Sequence, residues 1–287
     1  MRNPPESDRR TFLARLGLLG AVAGISVTVP GIARSASGPS LDVIGTALGE
    51  VARDTLNALA VFVVPGPDAY SKAQGTPHPE PGALEAKAPD FLIESLDSFV
   101  PFPDQLANPI GAALAGGLAD VPLDLPGDLP SVPVELDSAV RTLLSNDEHL
   151  PLSLVIALLL NNLATQVNPA AASGAFLSPF ARLTFNEKAD AFRQLEEPNA
   201  ELVAAIDQQV NEPLKGSVSG MLKFVAGALL EFSAFGTYCE WAKFDPATRY
   251  VTGTPVGWDL SKYDPGVMDG WDEFKGYYQG RTKVSAK

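Results

Sequence analysis

Leu152-Ser153-Leu154-Val155-Ile156-Ala157-Leu158-Leu159-Leu160 is apolar at every position but Ser153. The run falls well short of the ~20 residues that a bilayer-spanning helix needs. It reads as a buried central helix against which other elements must pack. Toward the N-terminus, Glu135 to Leu144 predicts one such helix. Before it, residues 121–133 set Pro122, Pro126, Pro130 and Pro133 among leucines and aspartates. That is a stiff, extended connector which still packs through Val121, Leu123, Leu125 and Leu129. An apolar segment spans Gln105 to Leu118, and a helix near Ala83 to Val100 is interrupted or restarted at Pro89. A polar loop, Asp68 to Gly82, precedes it. From the N-cap Ser40, Leu41, Ile44, Leu48, Val51, Leu59 and Phe62 recur at helical spacing, with Thr55 filling the gap, until Pro65-Gly66-Pro67 stops the helix.

Toward the C-terminus, Thr184-Phe185-Asn186-Glu187 is a capping box opening a helix from Phe185 to Glu196. Pro198-Asn199-Ala200 starts another, ending near Asn211. The longest helix is expected from Pro213 to Phe235, with Leu214, Val218, Met221, Val225, Leu229 and Phe232 on one face and Gly236 as its stop. No internal repeat and no alternating strand series is found. The expectation is an all-α fold, an irregular helical bundle of about eight or nine helices over residues 40–235.

Composition agrees with a packed core and excludes several classes. Of 287 residues, 46% are hydrophobic and 19% charged, which is not the composition of a disordered chain. A chain of this length buries on the order of three quarters of the surface its unfolded form exposes. With 21 basic and 34 acidic residues the net charge is −13, so it lacks the basic face a nucleic-acid binder uses to displace counterions. One Cys and two His, His78 and His149, are too few soft ligands for a zinc, haem or iron–sulfur centre.

The first 35 residues read as an export signal. Arg9-Arg10-Thr11-Phe12-Leu13 precedes an apolar stretch from Leu16 to Val29, then Pro30 and the small-residue segment Ala33-Arg34-Ser35-Ala36-Ser37. Paired arginines followed by Phe12 and Leu13 are the twin-arginine signature. Export by that route moves folded cargo, and places the protein in the periplasm or outer envelope of a bacterium. Cleavage is expected near Ser35 or Ser37. Without residues 1–35 the chain keeps 16 basic and 32 acidic residues, a net −16, with no transmembrane segment expected in it.

Beyond Gly236 the helical periodicity stops, and residues 236–287 form an aromatic, loop-rich segment packed on the helical domain. Residues 232–287 hold twelve of the 23 aromatics and all three Trp. Two readings stand: the aromatics pin an irregular tail onto its own helical body, or they anchor a protein interface, where Trp and Tyr are enriched. The candidate interface is Tyr238, Cys239, Trp241, Trp258, Tyr263, Trp271, Tyr277 and Tyr278. Cys239 is either a buried free thiol or half of an intermolecular disulfide. Its neighbour Glu240 raises the thiol pKa, against a catalytic role.

Motifs that carry chemistry are missing. Gly216-Ser217-Val218-Ser219-Gly220 lacks the spacing of a nucleophile elbow, and there is no Walker loop or dinucleotide fingerprint. His78 reads as an exposed loop residue and His149 as flanking a helix. No catalytic, cofactor-binding or metal-ligating residue is assigned.

Several stretches together resemble the gluconate 2-dehydrogenase subunit 3 family. They are the twin-arginine leader, a helix ending in Leu59-Ala60-Val61-Phe62-Val63-Val64-Pro65-Gly66-Pro67-Asp68, Pro81-Gly82-Ala83 with Phe91-Leu92, and the closing Gly257-Trp258, Tyr263 and Gly276-Tyr277-Tyr278. The resemblance covers the leader, roughly residues 50–100 and the C-terminal segment, and leaves 120–180 unmatched. It implies a non-catalytic accessory subunit that supplies export and folding support to a flavoprotein large subunit of the glucose–methanol–choline (GMC) type. FAD is then expected in that partner, none in this chain, with a cytochrome subunit as electron acceptor in some complexes. Cys239 gains a role as an intersubunit crosslink. Two alternatives are a stand-alone exported hydrolase or lyase, using carboxylates and Tyr in a cleft, and an exported binding protein holding an apolar ligand around Leu152–Leu163.

Overall fold

The computed structural model describes residues 39–99, 104–119, 121–123, 134–146, 148–210, 212 and 215–264. Ser40 caps the first helix, α1 (Leu41–Val63), by accepting from the Val43 amide at 3.4 Å. The corner that ends α1 is built on two glycines. A Cβ on Gly82 would lie 2.7 Å from the Pro65 carbonyl and the Gly66 nitrogen. The strands of the corner are then clipped by Ala83 N–H to Val64 O (3.0 Å) and His78 N–H to Gly66 O (3.0 Å).

The stretch expected to be loop, 68–82, contains one short helix, α2 (Ala69–Gln74). Its cause is Asp68, whose carboxylate accepts from the Ser71 amide at 2.9 Å and hydroxyl at 2.7 Å. Next, α3 (Ala88–Glu94) restarts at Pro89, a first-turn position where no amide is missed. A π-turn, Ser95–Phe99, continues it. Then come α4 (Asp104–Ala115) and a 3₁₀ turn, Gly116–Leu118. The ends of the proline-rich connector pair as β1 (Pro122–Leu123) and β2 (Val134–Glu135), antiparallel, with Leu123 opposite Val134. Val121 and Leu123 are buried as anticipated, whereas Leu125 and Leu129 lie outside the described residues.

After α5 (Leu136–Leu144) comes the central helix α6 (Leu152–Val167), buried continuously from Leu152 to Ala164. Pro151 offers it no side-chain cap. Asp97 of the π-turn does so instead, accepting from the Ser153 amide and hydroxyl, both at 2.8 Å. Helices α1, α4 and α7 (Phe185–Glu196) pack around α6. The capping box of α7 forms reciprocally between Thr184 and Glu187.

Asn199 caps α8 (Ala200–Asp207), which stops earlier than the expected Asn211. The next helix, α9 (Val218–Tyr238), runs through Gly236 rather than stopping there. At 21 residues it is shorter than α1, at 23, so among the described residues the longest helix is at the other end of the domain. Gly236 is there for packing: a Cβ would meet the Phe91 ring at 2.6 Å. The described C-terminal part holds a 3₁₀ turn (Trp241–Lys243), a two-residue hairpin of β3 (Phe244–Asp245) and β4 (Tyr250–Val251), and α10 (Val256–Ser261). The chain is all-α, an irregular bundle, with ten α-helices among the described residues once its three shortest are included.

Candidate functional site

Two features stand out from the helical packing, one polar and buried, the other apolar and open. The buried one lies between α1, α2, α7 and the segment before α7. Asp54, on the inner face of α1, accepts from the Tyr70 hydroxyl at 2.7 Å and from the Ser178 amide and hydroxyl at 2.9 and 2.8 Å. Beside it Lys188 is 0% exposed. Its Nζ donates to Gln74 Oε1 at 2.8 Å and Ala58 O at 3.2 Å, and lies 5.4 Å from the centre of the Phe180 ring. Burial pushes the lysine down to about 7, against the pull of Asp54 and Asp68. Burial likewise raises Asp54, opposed by its bonds to Tyr70 and Ser178 and by the charge of Arg182. Asn161 of α6 extends the network, donating to Thr55 Oγ1 at 3.0 Å and accepting from the Phe180 amide at 3.0 Å. Both Asp54 oxygens and the lysine are engaged with protein groups, so the cluster acts as internal polar bonding that fixes how α1, α6 and α7 meet.

The apolar feature is a groove of about 700 Å³ bounded by α3, its π-turn, α4, α6, α8 and α9. Leu152, Val155, Ile156 and Leu159 form its floor and Phe91, Phe224, Phe232 and Phe235 its aromatic wall; Ser95 is the one polar residue among those lining it. The wall is open to solvent, with Phe224 75% and Phe235 60% exposed. The stretch Val218–Lys243 is long and apolar enough to cross a membrane by length and composition. One face of α9 (Val218, Leu222, Ala226, Leu229, Ser233) is nevertheless buried in the bundle.

The described members of the expected interface gather at the end of this groove. Tyr238 is exposed at the last turn of α9, and Cys239, the free thiol that caps it, is half-buried. Burial and the neighbouring Glu240 raise that thiol, in the direction the sequence indicates. Trp241 meets the Phe91 ring edge-on at 5.9 Å, and Phe91 meets Phe235 at 5.6 Å. Trp258 donates from Nε1 to Glu240 at 2.9 Å and packs edge-on against Tyr263 at 5.4 Å. Trp241 and Trp258 thus pin the tail to its own body, while Tyr238, Tyr250 and Tyr263 remain exposed. Trp271, Tyr277 and Tyr278, like Arg9, Arg10, Phe12 and Leu13, lie outside the described residues.

His78 is exposed in its loop, and His149 is exposed just before α6. No group of three His, Cys, Asp or Glu side chains is placed to hold a metal among the described residues. Sequence reasoning passed over Phe224 of the groove wall and Lys188. A signal existed for each. Phe224 and Phe235 fall off the single apolar stripe assigned to α9, and Lys188 shares the spacing of Phe192 and Leu195 on the inner face of α7.

No protein-family model, no curated protein and no solved structure matches the chain.

Proposed function

We propose that this chain is a non-catalytic accessory subunit, exported by the twin-arginine route, that binds a FAD-bearing partner of the GMC dehydrogenase type. The observation that supports this reading is the aromatic edge at the end of α9. Tyr238, Tyr250, Tyr263 and Phe235 stand exposed, with Tyr263 packed on Trp258 and Phe235 and Trp241 both against Phe91. Exposed aromatic side chains are the residues that anchor protein partners, Tyr and Trp above all. Trp258, held by its bond to Glu240, backs the Tyr263 ring, which lowers the ordering cost of association there.

Co-expression with a GMC-type flavoprotein, chosen as one encoded beside this chain, tests it. The pair should co-purify with flavin absorbance carried by the large subunit, and Tyr238→Asp should weaken association at least about tenfold. Arg9→Lys with Arg10→Lys should strand the partner in the cytoplasm. Normal export of the partner in that double variant, together with no co-purification, would sink the reading.

A further inference from the structure

We propose that α9 pairs with α9 of a second copy of this chain, antiparallel, about a two-fold axis that passes Gly227. Most of the apolar part of Val218–Lys243 is not buried, and Phe224 at the edge of its uncovered face is 75% exposed. At about 100° per residue, Gly220, Gly227 and Ala234 form a strip about 40° wide on the solvent side of α9. Phe224 and Glu231 border the strip on one side, Lys223 and Leu230 on the other. Charge decides both the occupant and its direction. Lys223 and Glu231 are exposed, and among the described residues neither enters an ion pair. They stand four residues before and four after Gly227, about 6 Å along the helix each way. In an antiparallel two-fold pair, a residue before the axis lies level with the residue equally far past it in the other copy. Lys223 is then level with Glu231 of the other copy, and the symmetry makes this ion pair twice. Phe224 is level with Leu230 and Gly220 with Ala234. A parallel pair would set lysine beside lysine and glutamate beside glutamate, which repels.

The glycines agree with this pairing. Glycine weakens a helix interior relative to alanine, and among the described residues the fold makes no use of it at these two positions. A Cβ on Gly220 or Gly227 would meet nothing within 4 Å, whereas the Phe91 ring fills the space of the Cβ that Gly236 lacks. Low positions on an outer face let a second helix approach closely, so that Phe224 and Leu230 can pack and Lys223 can span the seam. A contact of one helix pair is at the small end for a specific interface, and a Kd on the order of 1 µM is expected. The groove lies beyond Phe224 and takes no part. Tyr238 is eleven residues past the axis, about 16 Å along the helix, so self-pairing stands apart from the flavoprotein reading and holds or fails without it.

The test is sedimentation equilibrium of the mature chain alone, with no flavoprotein present. The wild type should pass from monomer to dimer between about 0.1 and 10 µM. Lys223→Glu and Glu231→Lys should each weaken the dimer at least about tenfold, and the two reversals together should restore it to within about threefold. Both side chains are exposed, so far-ultraviolet circular dichroism should be unchanged in all three variants. A second measurement reads the register. In a Cys239→Ser background, Gly227→Cys should crosslink to its own counterpart on mild oxidation, and Lys215→Cys, twelve residues from the axis, should not. A monomer at about 100 µM would overturn the proposal. A dimer indifferent to the charge reversals, or one that fails to crosslink at position 227, would overturn it as well. A monomer that instead binds phosphatidylethanolamine vesicles would assign the face to a membrane and equally refute self-pairing.

Discussion

Replacing Lys188 by methionine isolates the cost of burying an amine. In the folded chain the lysine titrates at about 7, against 10.5 when solvated. Between those values the unfolded chain holds a proton that the folded chain has lost, so stability rises with pH across that window and falls as pH drops toward 7. The full shift of about 3.5 units corresponds to about 5 kcal/mol, and the part recovered between pH 7 and pH 9 is about 2 kcal/mol. Asp54, whose pKa is raised, acts with opposite sign in the acid range: its contribution is present below its unfolded value and is lost as pH climbs through the folded one. Lys188→Met keeps the contact with Phe180 but removes the titration and the donors to Gln74 Oε1 and Ala58 O. Urea unfolding of both proteins from pH 7 to pH 9 should therefore show the wild type gaining about 2 kcal/mol on the variant. Every ionisable group other than Lys188 is common to both proteins and cancels. Parallel curves would refute the assignment of Lys188 as a neutral buried amine.

The other predictions are local. Gly82→Ala forces a Cβ to within 2.7 Å of the Pro65 carbonyl and the Gly66 nitrogen, backbone that cannot step aside; a loss of about 2–3 kcal/mol should appear as a lowered melting temperature. Asp97→Ala removes both bonds to Ser153 at the start of α6 and should cost about 1–2 kcal/mol in urea unfolding, where Asp97→Asn costs less. Cys239, half-buried and raised by burial, should react with iodoacetamide at pH 8 more slowly than an unstructured peptide thiol. Alkylation at the peptide rate would place the thiol in a different environment.

Legibility followed the strength of the local signal. The capping box at Thr184 and the cap at Ser40 rest on contacts within a few residues, the apolar run of α6 is interrupted only by Ser153, and these and the stop after Val64 are each where the sequence puts them. The misreadings arose where a distant element decides. Gly236 is a fair helix stop by local chemistry, but the ring of Phe91, far away in sequence, uses its missing Cβ for close packing and the helix passes through. Lys188 is charged, so a search for apolar stripes skips it, although Gln74 and the Ala58 carbonyl from two other helices receive its amine. The groove depends on α9 being apolar on more than one side, which one-stripe reading hides.

The same distinction bears on the residues that carry the family resemblance. Val64-Pro65-Gly66 and Gly82-Ala83 make one corner, in which Gly82 is pressed against Gly66 and the Ala83 amide closes on Val64. Their spacing is therefore accounted for by steric and hydrogen-bonding demands, without any ligand or partner. A chain that kept this corner and lost its function would keep the motif. The aromatic edge is different: Tyr238, Tyr250 and Tyr263 leave ring surface in water that the fold itself does not use, and exposed apolar area has a standing cost in solubility. The corner thus speaks for architecture, and the argument for a partner rests on the tyrosines, which is why Tyr238→Asp rather than any change at Gly82 is the variant that should separate binding from folding.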